Sequence, residues 1–457
     1  MRTDDFMACA LVLSVASGCS STNAESAVNA GGDAAISGDA GSGADGQVGT
    51  GSSGAASGSA EAGPGNADGA SSGSGSGSSG ASDSGGATVG DGGGCSPGVT
   101  QCSGTTAVQI CDATGQWGTP WPCATGACTG GACAGSTTTG ASCQSGDAGV
   151  ANCGAGSESC CTSLEVAGGA YDRTYTNTGN GGTNEADPAT VSGFRLDKYL
   201  VTVGRFRQYV SYLSGSAGAP PANGSGIHTH LNGGRGLSDG ASPGSYEAGW
   251  NAAAWSTYIT TGSGAPSAWN ANLACDTTGL DTWTNAAGSQ EDLPIVCTTW
   301  WEAYAFCIWD GGFLPSEAEW EYAAAGGSEE REYPWGSADP GMMNQYAVYG
   351  CNYPTGVAKG VCTSVANIAP VGTATLGAGL WGQLDLVGDV FEWNIDWSAP
   401  SFTDPCTNCA ILTGGMTRVI AGGSFSYDNS YLPPSNPYLS PPADRSGNTG
   451  FRCARTP

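Results

Sequence analysis

Apolar positions recur at helical spacing in three places after residue 161, and hardly recur before it. Val203, Phe206, Tyr209, Val210 and Leu213 follow Thr202 and share one face of a helix with 3.6 residues per turn. Trp300, Tyr304, Cys307 and Ile308 form a second stripe, opened by Thr299-x-x-Glu302. That spacing is a capping box, in which each side chain accepts the other residue's backbone N–H. A second box, Ser316-x-x-Glu319, opens the run SEAEWEYAAA, and Gly326-Gly327 stops it. Long Gly-, Asn- and Pro-rich connections lie between, with short strand-like runs such as TRVIAGGSF. Few helices, many loops and short strands predict an irregular, loop-rich α+β domain over residues 162–457.

The first 161 residues read differently. Arg2 precedes an apolar run, Met7 to Ala16, of signal-peptide length and too short to span a membrane. Residues 1–19 therefore predict export. Ala16-Ser17-Gly18-Cys19 resembles a bacterial lipoprotein box. The resemblance implies acylation of Cys19 and a lipid anchor in the cell envelope, at the outer membrane or cell surface. Ordinary cleavage and secretion, with Cys19 incidental, is the other reading. Residues 20–94 hold no aromatic, Leu, Lys or Arg. Such a chain cannot bury enough apolar surface to offset its entropy, so it should be a disordered spacer, roughly 50 Å across on average. Residues 95–161 carry ten cysteines, with Trp117 and Trp121 nearly the only large apolar groups. A core that small needs disulfide staples. Cys128-x4-Cys133 leaves zinc thiolates as the rival.

Charge and cysteine content narrow the partners. Asp and Glu number 40 against 13 Lys and Arg, for a net charge of −27. That field repels phosphate backbones, so nucleic acid is excluded as a partner. Twenty cysteines are typical of an oxidising compartment.

LPSEAEWEYAAAGG with YPWG, then GQLDLVGDVFEW, RVIAGGSF and GFRCAR, occur in that order. Together they resemble the formylglycine-generating-enzyme family, the sulfatase-modifying factors. The resemblance implies a loop-rich relative of the C-type lectin fold. It also implies an enzyme that oxidises a protein cysteine to formylglycine, with dioxygen and copper held by two thiols. Here Tyr427 and Leu432 stand at the thiol positions, Asp428 at a neighbouring histidine and Phe391 at an active-site tryptophan; Ser424 is kept. Neither Tyr nor Leu offers the soft sulfur that Cu(I) requires, so copper is not expected.

The same resemblance implies a disulfide between Cys307 and Cys453, a buried free Cys307 being the alternative. It implies calcium held by the Asp385 side chain, the Gly388 and Val390 carbonyls and Glu392, with a solvated acidic turn as the alternative. A further calcium position maps to Asn344 and Gln345, where the family's aspartate falls near Thr363.

His228 and His230 are the only histidines. On a strand they would share one side and form half a metal site, but they cannot supply a three-histidine iron centre. Cys406-x-x-Cys409 reads as a small structural disulfide or a redox pair. Cys275 with Cys297, and Cys351 with Cys362, are candidate loop staples.

Three functions follow. The first is a surface-tethered binding or scaffold protein for a peptide, protein or sugar. The second is an active oxidase using cysteines elsewhere. The third is another enzyme reusing Ser424, Tyr427 and Asp428. A loop that persists without its thiols favours binding.

Overall fold

The computed structural model describes residues 100–110, 116–117, 120–122, 127–129, 132–133 and 140–457, apart from 156–157 and 358–359. The expected signal peptide, Cys19 and the spacer lie outside these residues. No helix among the described residues is long and apolar enough to cross a membrane.

The body is α+β, and most of it is loop. In chain order its main elements are β1 (Ser163–Val166), β2 (Gly169–Thr176), β3 (Thr183–Val191) and β4 (Phe194–Asp197). Then come α1 (Val203–Ser214), α2 (Ala265–Asn272), α3 (Trp300–Trp309) and α4 (Glu317–Ala325). Last are β5 (Phe391–Trp397), β6 (Arg418–Ala421), β7 (Tyr438–Ser440), β8 (Thr449–Gly450) and β9 (Ala454–Arg455). They form three small sheets: β7–β6–β5–β8, β9–β4–β1, and Cys406–Thr407 beside β3 and β2.

The helix boundaries follow the capping chemistry. The Thr202 hydroxyl accepts the Arg205 N–H at 3.1 Å. Both capping boxes close, at Thr299/Glu302 and at Ser316/Glu319. Gly326 ends α4 at φ 70°, a left-handed position that glycine adopts without a Cβ penalty.

One expectation changes. On α3, Trp300 through Cys307 are all buried, not only a stripe. The cause is non-local: Trp250 and Trp255 from the long connection between α1 and α2 lie against Tyr304 and Trp300, with centroids 5.8 and 5.5 Å apart. Tyr258 stacks on Trp301 at 3.7 Å. Ile308, expected on the buried stripe, and Trp309 at the helix end are half-buried; a helix covered on most sides is apolar round most of its circumference.

Residues 140–161 pack into the same body. Arg205 of α1 is fully buried, paired with Asp197 at 2.9 Å and Asp310 at 2.7 Å. Its Nε donates to the Ser142 hydroxyl at 3.0 Å. The Cys143–Cys161 and Cys153–Cys160 disulfides hold this segment, and Cys153 and Cys160 join the main core. Cys128 is bonded to Cys102, not available as a zinc thiolate beside Cys133. Cys307 of α3 is joined to Cys453, next to β9, with Sγ–Sγ 2.03 Å.

Candidate functional site

Strand β6 runs into the turn Gly422-Gly423, with φ of 96° and 71°. A Cβ on Gly422 would sit 2.7 Å from the Leu386 carbonyl, and one on Gly423 would sit 2.8 Å from that of Tyr431. Only glycine fits this close approach. The Gly388 N–H donates to the Gly422 carbonyl and the Phe425 N–H to that of Asp389, both at 2.7 Å. The loop is thereby laced to the acidic turn before β5.

The side chains beyond the turn separate into two environments. Leu432 is fully buried and packs in the second core. Tyr427 points outward, 37% exposed. Ser424 is buried, its hydroxyl 3.2 Å from that of Ser426. Asp428 is exposed and caps the single turn Asn429–Tyr431 through the Ser430 N–H at 2.9 Å. The Ser430 hydroxyl and N–H hold its carboxyl below the usual range. Ser424 therefore has neither a base nor an orienting carboxylate in contact, and no nucleophile system is assembled.

An aromatic group replaces one. Phe391, at the start of β5, lies edge-on to Tyr427 at 5.3 Å and to Tyr438 at 5.5 Å. Tyr431 joins Tyr427 at 4.5 Å and Tyr438 at 4.7 Å. Sequence reasoning found Phe391, Tyr427 and the aromatic stretch up to Tyr431 but missed Tyr438. The recurrence of tyrosine after the turn was the available signal. Sulfur also approaches from elsewhere: Cys351 is bonded to Cys362, whose Sγ lies 3.7 Å from the Phe425 carbonyl oxygen. A phenol and a buried leucine do not fit a Cu(I) seat, which requires thiolate or thioether.

The acidic turn is strained and buried. Asp385, Gly388 and Asp389 have φ of 53°, 82° and 58°. Burial pushes the Asp385 carboxyl up to about 6, against the Gly372 N–H and Arg452. Burial, reinforced by Asp385, raises Asp389 well above its ordinary value. Asp389 Oδ2 has no hydrogen-bond partner. Two buried carboxylates with an orphaned oxygen suit a hard divalent cation. Glu392 fits this less well. Arg452 grips both its oxygens, at 2.7 and 2.8 Å, and supplies the positive charge locally. Gly388 and Val390 lie between these groups on the turn. Asn344 is half-buried and Gln345 exposed, on a separate turn; Thr363 is exposed.

The histidines do not lie on a strand. His228 is fully buried, with Nδ1 2.9 Å from Glu247 and Nε2 3.2 Å from Glu319. Burial opposes its charge, but the two glutamates prevail and raise it to about 10. Its ring nitrogens are thus committed to carboxylates, and His230 lies 6.3 Å away between centroids. Cys275, Asp281 and Cys297 converge, but Cys275–Cys297 is a disulfide, as is Cys406–Cys409. Neither presents free thiolates.

A loop-rich α+β body with a glycine-serine turn laced to an acidic turn, and a helix stapled beside its closing strand, defines a sulfatase-modifying-factor scaffold. The chain belongs to this family: residues 153–457 match the sulfatase-modifying factor enzyme 1-like domain. The chain is similar to the formylglycine-generating enzyme of Streptomyces coelicolor, at 35% identity over 191 residues, covering 38% of this chain and 57% of that enzyme. It is 32% identical over 163 residues to a Mus musculus protein named inactive C-alpha-formylglycine-generating enzyme 2, covering 36% and 49% respectively. The solved structure of PvdO from Pseudomonas aeruginosa is matched over 65% of this chain and 94% of that one, with TM-score 0.41 and 18% identity. The chain spans about half the length of the curated relatives it matches.

Proposed function

We propose that this domain is a catalytically degenerate binding module, tethered to the bacterial cell surface through a lipid on Cys19 and the spacer of residues 20–94. Its ligand is a peptide or sugar that stacks on the tyrosines of the former oxidase loop. One observation carries this reading: where the family resemblance places a thiol, Tyr427 presents a partly exposed ring in contact with Phe391 and Tyr431. Rings with hydroxyl rims supply both stacking and hydrogen bonding, as ligand sites require. In this reading calcium is held by Asp385, with the Gly388 and Val390 carbonyls. It stiffens the turn to which the loop is laced.

The test is to incubate the protein with copper, reductant, dioxygen and a cysteine peptide of sulfatase type, and to follow peptide mass. No aldehyde product is expected. Screening of peptide and glycan arrays should yield a ligand lost in Tyr427→Ala. Turnover that disappears in Cys351→Ser would overturn the reading, because Cys351 and Cys362 are the sulfur pair that reaches this loop. Mass spectrometry of the mature N-terminus tests the anchor: an unacylated end removes it.

A further inference from the structure

Away from the glycine-serine loop, a cavity of about 380 Å³ opens beside β5, β6 and β7. Trp397, Phe402, Ile411, Val419 and Leu439 form its apolar wall. A cavity of about 150 Å³ holds benzene, so this one has room for a longer apolar chain and its polar head. Leu439, on β7, is 57% exposed at this wall. Its neighbour Tyr438 belongs to the aromatic group of the loop, and successive strand residues point to opposite faces. The cavity therefore lies on the other side of β7 from that group.

Glu317, the first residue of α4, lines the cavity and is 9% exposed. Its backbone N–H donates to Asp396 Oδ2 at 2.7 Å. Its carboxylate has neither a hydrogen bond nor an ion pair among the described residues. Glu247, Glu319 and Glu321 each have an unpartnered oxygen sealed from solvent, whereas neither oxygen of Glu317 is sealed. The unbonded oxygens of Glu317 are accessible, and they open on the cavity that it lines.

The charge around this carboxylate is one-sided. Burial, and then Asp396, raise the Glu317 carboxyl above its ordinary value of 4.5. Glu321, one turn on, is raised well above it by burial and by Glu317. Arg173 opposes both shifts, but its guanidinium is committed to the Asp187 and Thr403 carbonyls and to the Phe402 ring. The charged residues of the lining are Glu317 and Asp187, both acids. The Thr174 hydroxyl donates to Asp187 at 2.7 Å; nothing comparable reaches Glu317. A buried carboxylate without a partner is costly, and an ammonium relieves it through charge-assisted hydrogen bonds.

We propose that this cavity binds a free primary amine with an apolar body. The ligand ammonium donates to the Glu317 carboxylate, and its chain packs against Trp397, Ile411 and Leu439. This site is independent of the loop that carries Tyr427.

Calorimetry on the purified protein tests the proposal with hexylamine, hexanol and hexanoate at about pH 8.5, where an alkylamine is still charged. Hexylamine should bind, and hexanoate should not. Loss of a hydrogen bond to a charged group weakens binding by at least about tenfold, which is the deficit expected for hexanol and for hexylamine with Glu317→Gln. That variant keeps the side chain's shape and breaks no hydrogen bond, so it should retain the wild-type melting temperature. Leu439→Ala, at an exposed position, should also melt normally and weaken hexylamine by about threefold or more. The proposal is overturned if hexylamine fails to bind the folded wild-type protein, or if hexanol or hexanoate binds as tightly. It is also overturned if Glu317→Gln or Leu439→Ala binds hexylamine as the wild type does.

Discussion

The segment Arg452–Arg455 and the loop Ser424–Leu432 lie within thirty residues of each other in sequence, yet their side chains are used in opposite ways. In the first, Arg452, Cys453 and Arg455 are each tied to a distant part of the body. Arg452 grips Glu392 and donates to the Leu384 and Asp385 carbonyls at 3.0 and 2.7 Å. Cys453 is bonded to Cys307. Arg455 pairs with Asp197 at 3.2 Å and with Asp310 at 2.6 Å. In the loop, the polar side chains bond only to near neighbours, Ser424 to Ser426 and Asp428 to Ser430. Groups saturated over long range hold a fold together. Groups satisfied locally leave a surface that is free to change its chemistry.

The sharpest way to break this contrast is Glu392→Ala, which leaves Arg452 buried and uncompensated. A loss of roughly 3–5 kcal/mol is expected, read from urea unfolding. Replacing both Cys307 and Cys453 by serine should cost about 2–4 kcal/mol, and an unchanged melting temperature would remove the staple from the account. Calcium should stabilise the wild type by about 2.7 kcal/mol at a hundred times its Kd. Asp385→Ala should abolish that gain, and an identical calcium response in the variant would exclude Asp385 as a ligand.

His228 gives a graded effect with pH. Its folded value, about 10, lies above the ordinary value of 6.5. Its stabilising contribution is therefore complete below about pH 6.5 and is lost as pH rises toward 10. Glu247, Glu319 and His230 are the charged or titratable groups acting on it. Melting temperatures should fall between pH 7 and 10 more steeply in the wild type than in His228→Gln. Parallel curves would show that the imidazolium contributes nothing. The smallest change belongs to the loop: Tyr427→Ala should shift stability by no more than about 0.5 kcal/mol while removing ligand binding. A large destabilisation there would erase the distinction between the two regions.

Local chemistry was legible in the sequence. The helix starts at Thr202, Thr299 and Ser316, and the stop at Gly326, follow from side chains and backbone groups a few residues apart. Family motifs gave the fold and placed Cys307 opposite Cys453. What stayed hidden was long-range. Nothing near Glu392 announces that Arg452, 60 residues on, neutralises it. The burial of α3 from Trp300 to Cys307 depends on Trp250 and Trp255 arriving from another loop. The approach of Cys362 to Phe425 spans 63 residues, beyond any window in which spacing carries meaning.

The closing segment also fixes an order of events during synthesis. Arg455 reaches back 258 residues to Asp197, and Arg452 reaches back 255 to the same residue's carbonyl. A nascent chain exposes Asp197, Arg205 and Asp310 long before Arg455 exists. Contacts of such sequence separation are reached late and slowly, because loop closure must precede them. Until then the aromatic faces of α1 and α3 have no Phe451 to cover them. This body is therefore exposed to self-association for most of its assembly. Residues 451–455 act as the latch that ends that interval.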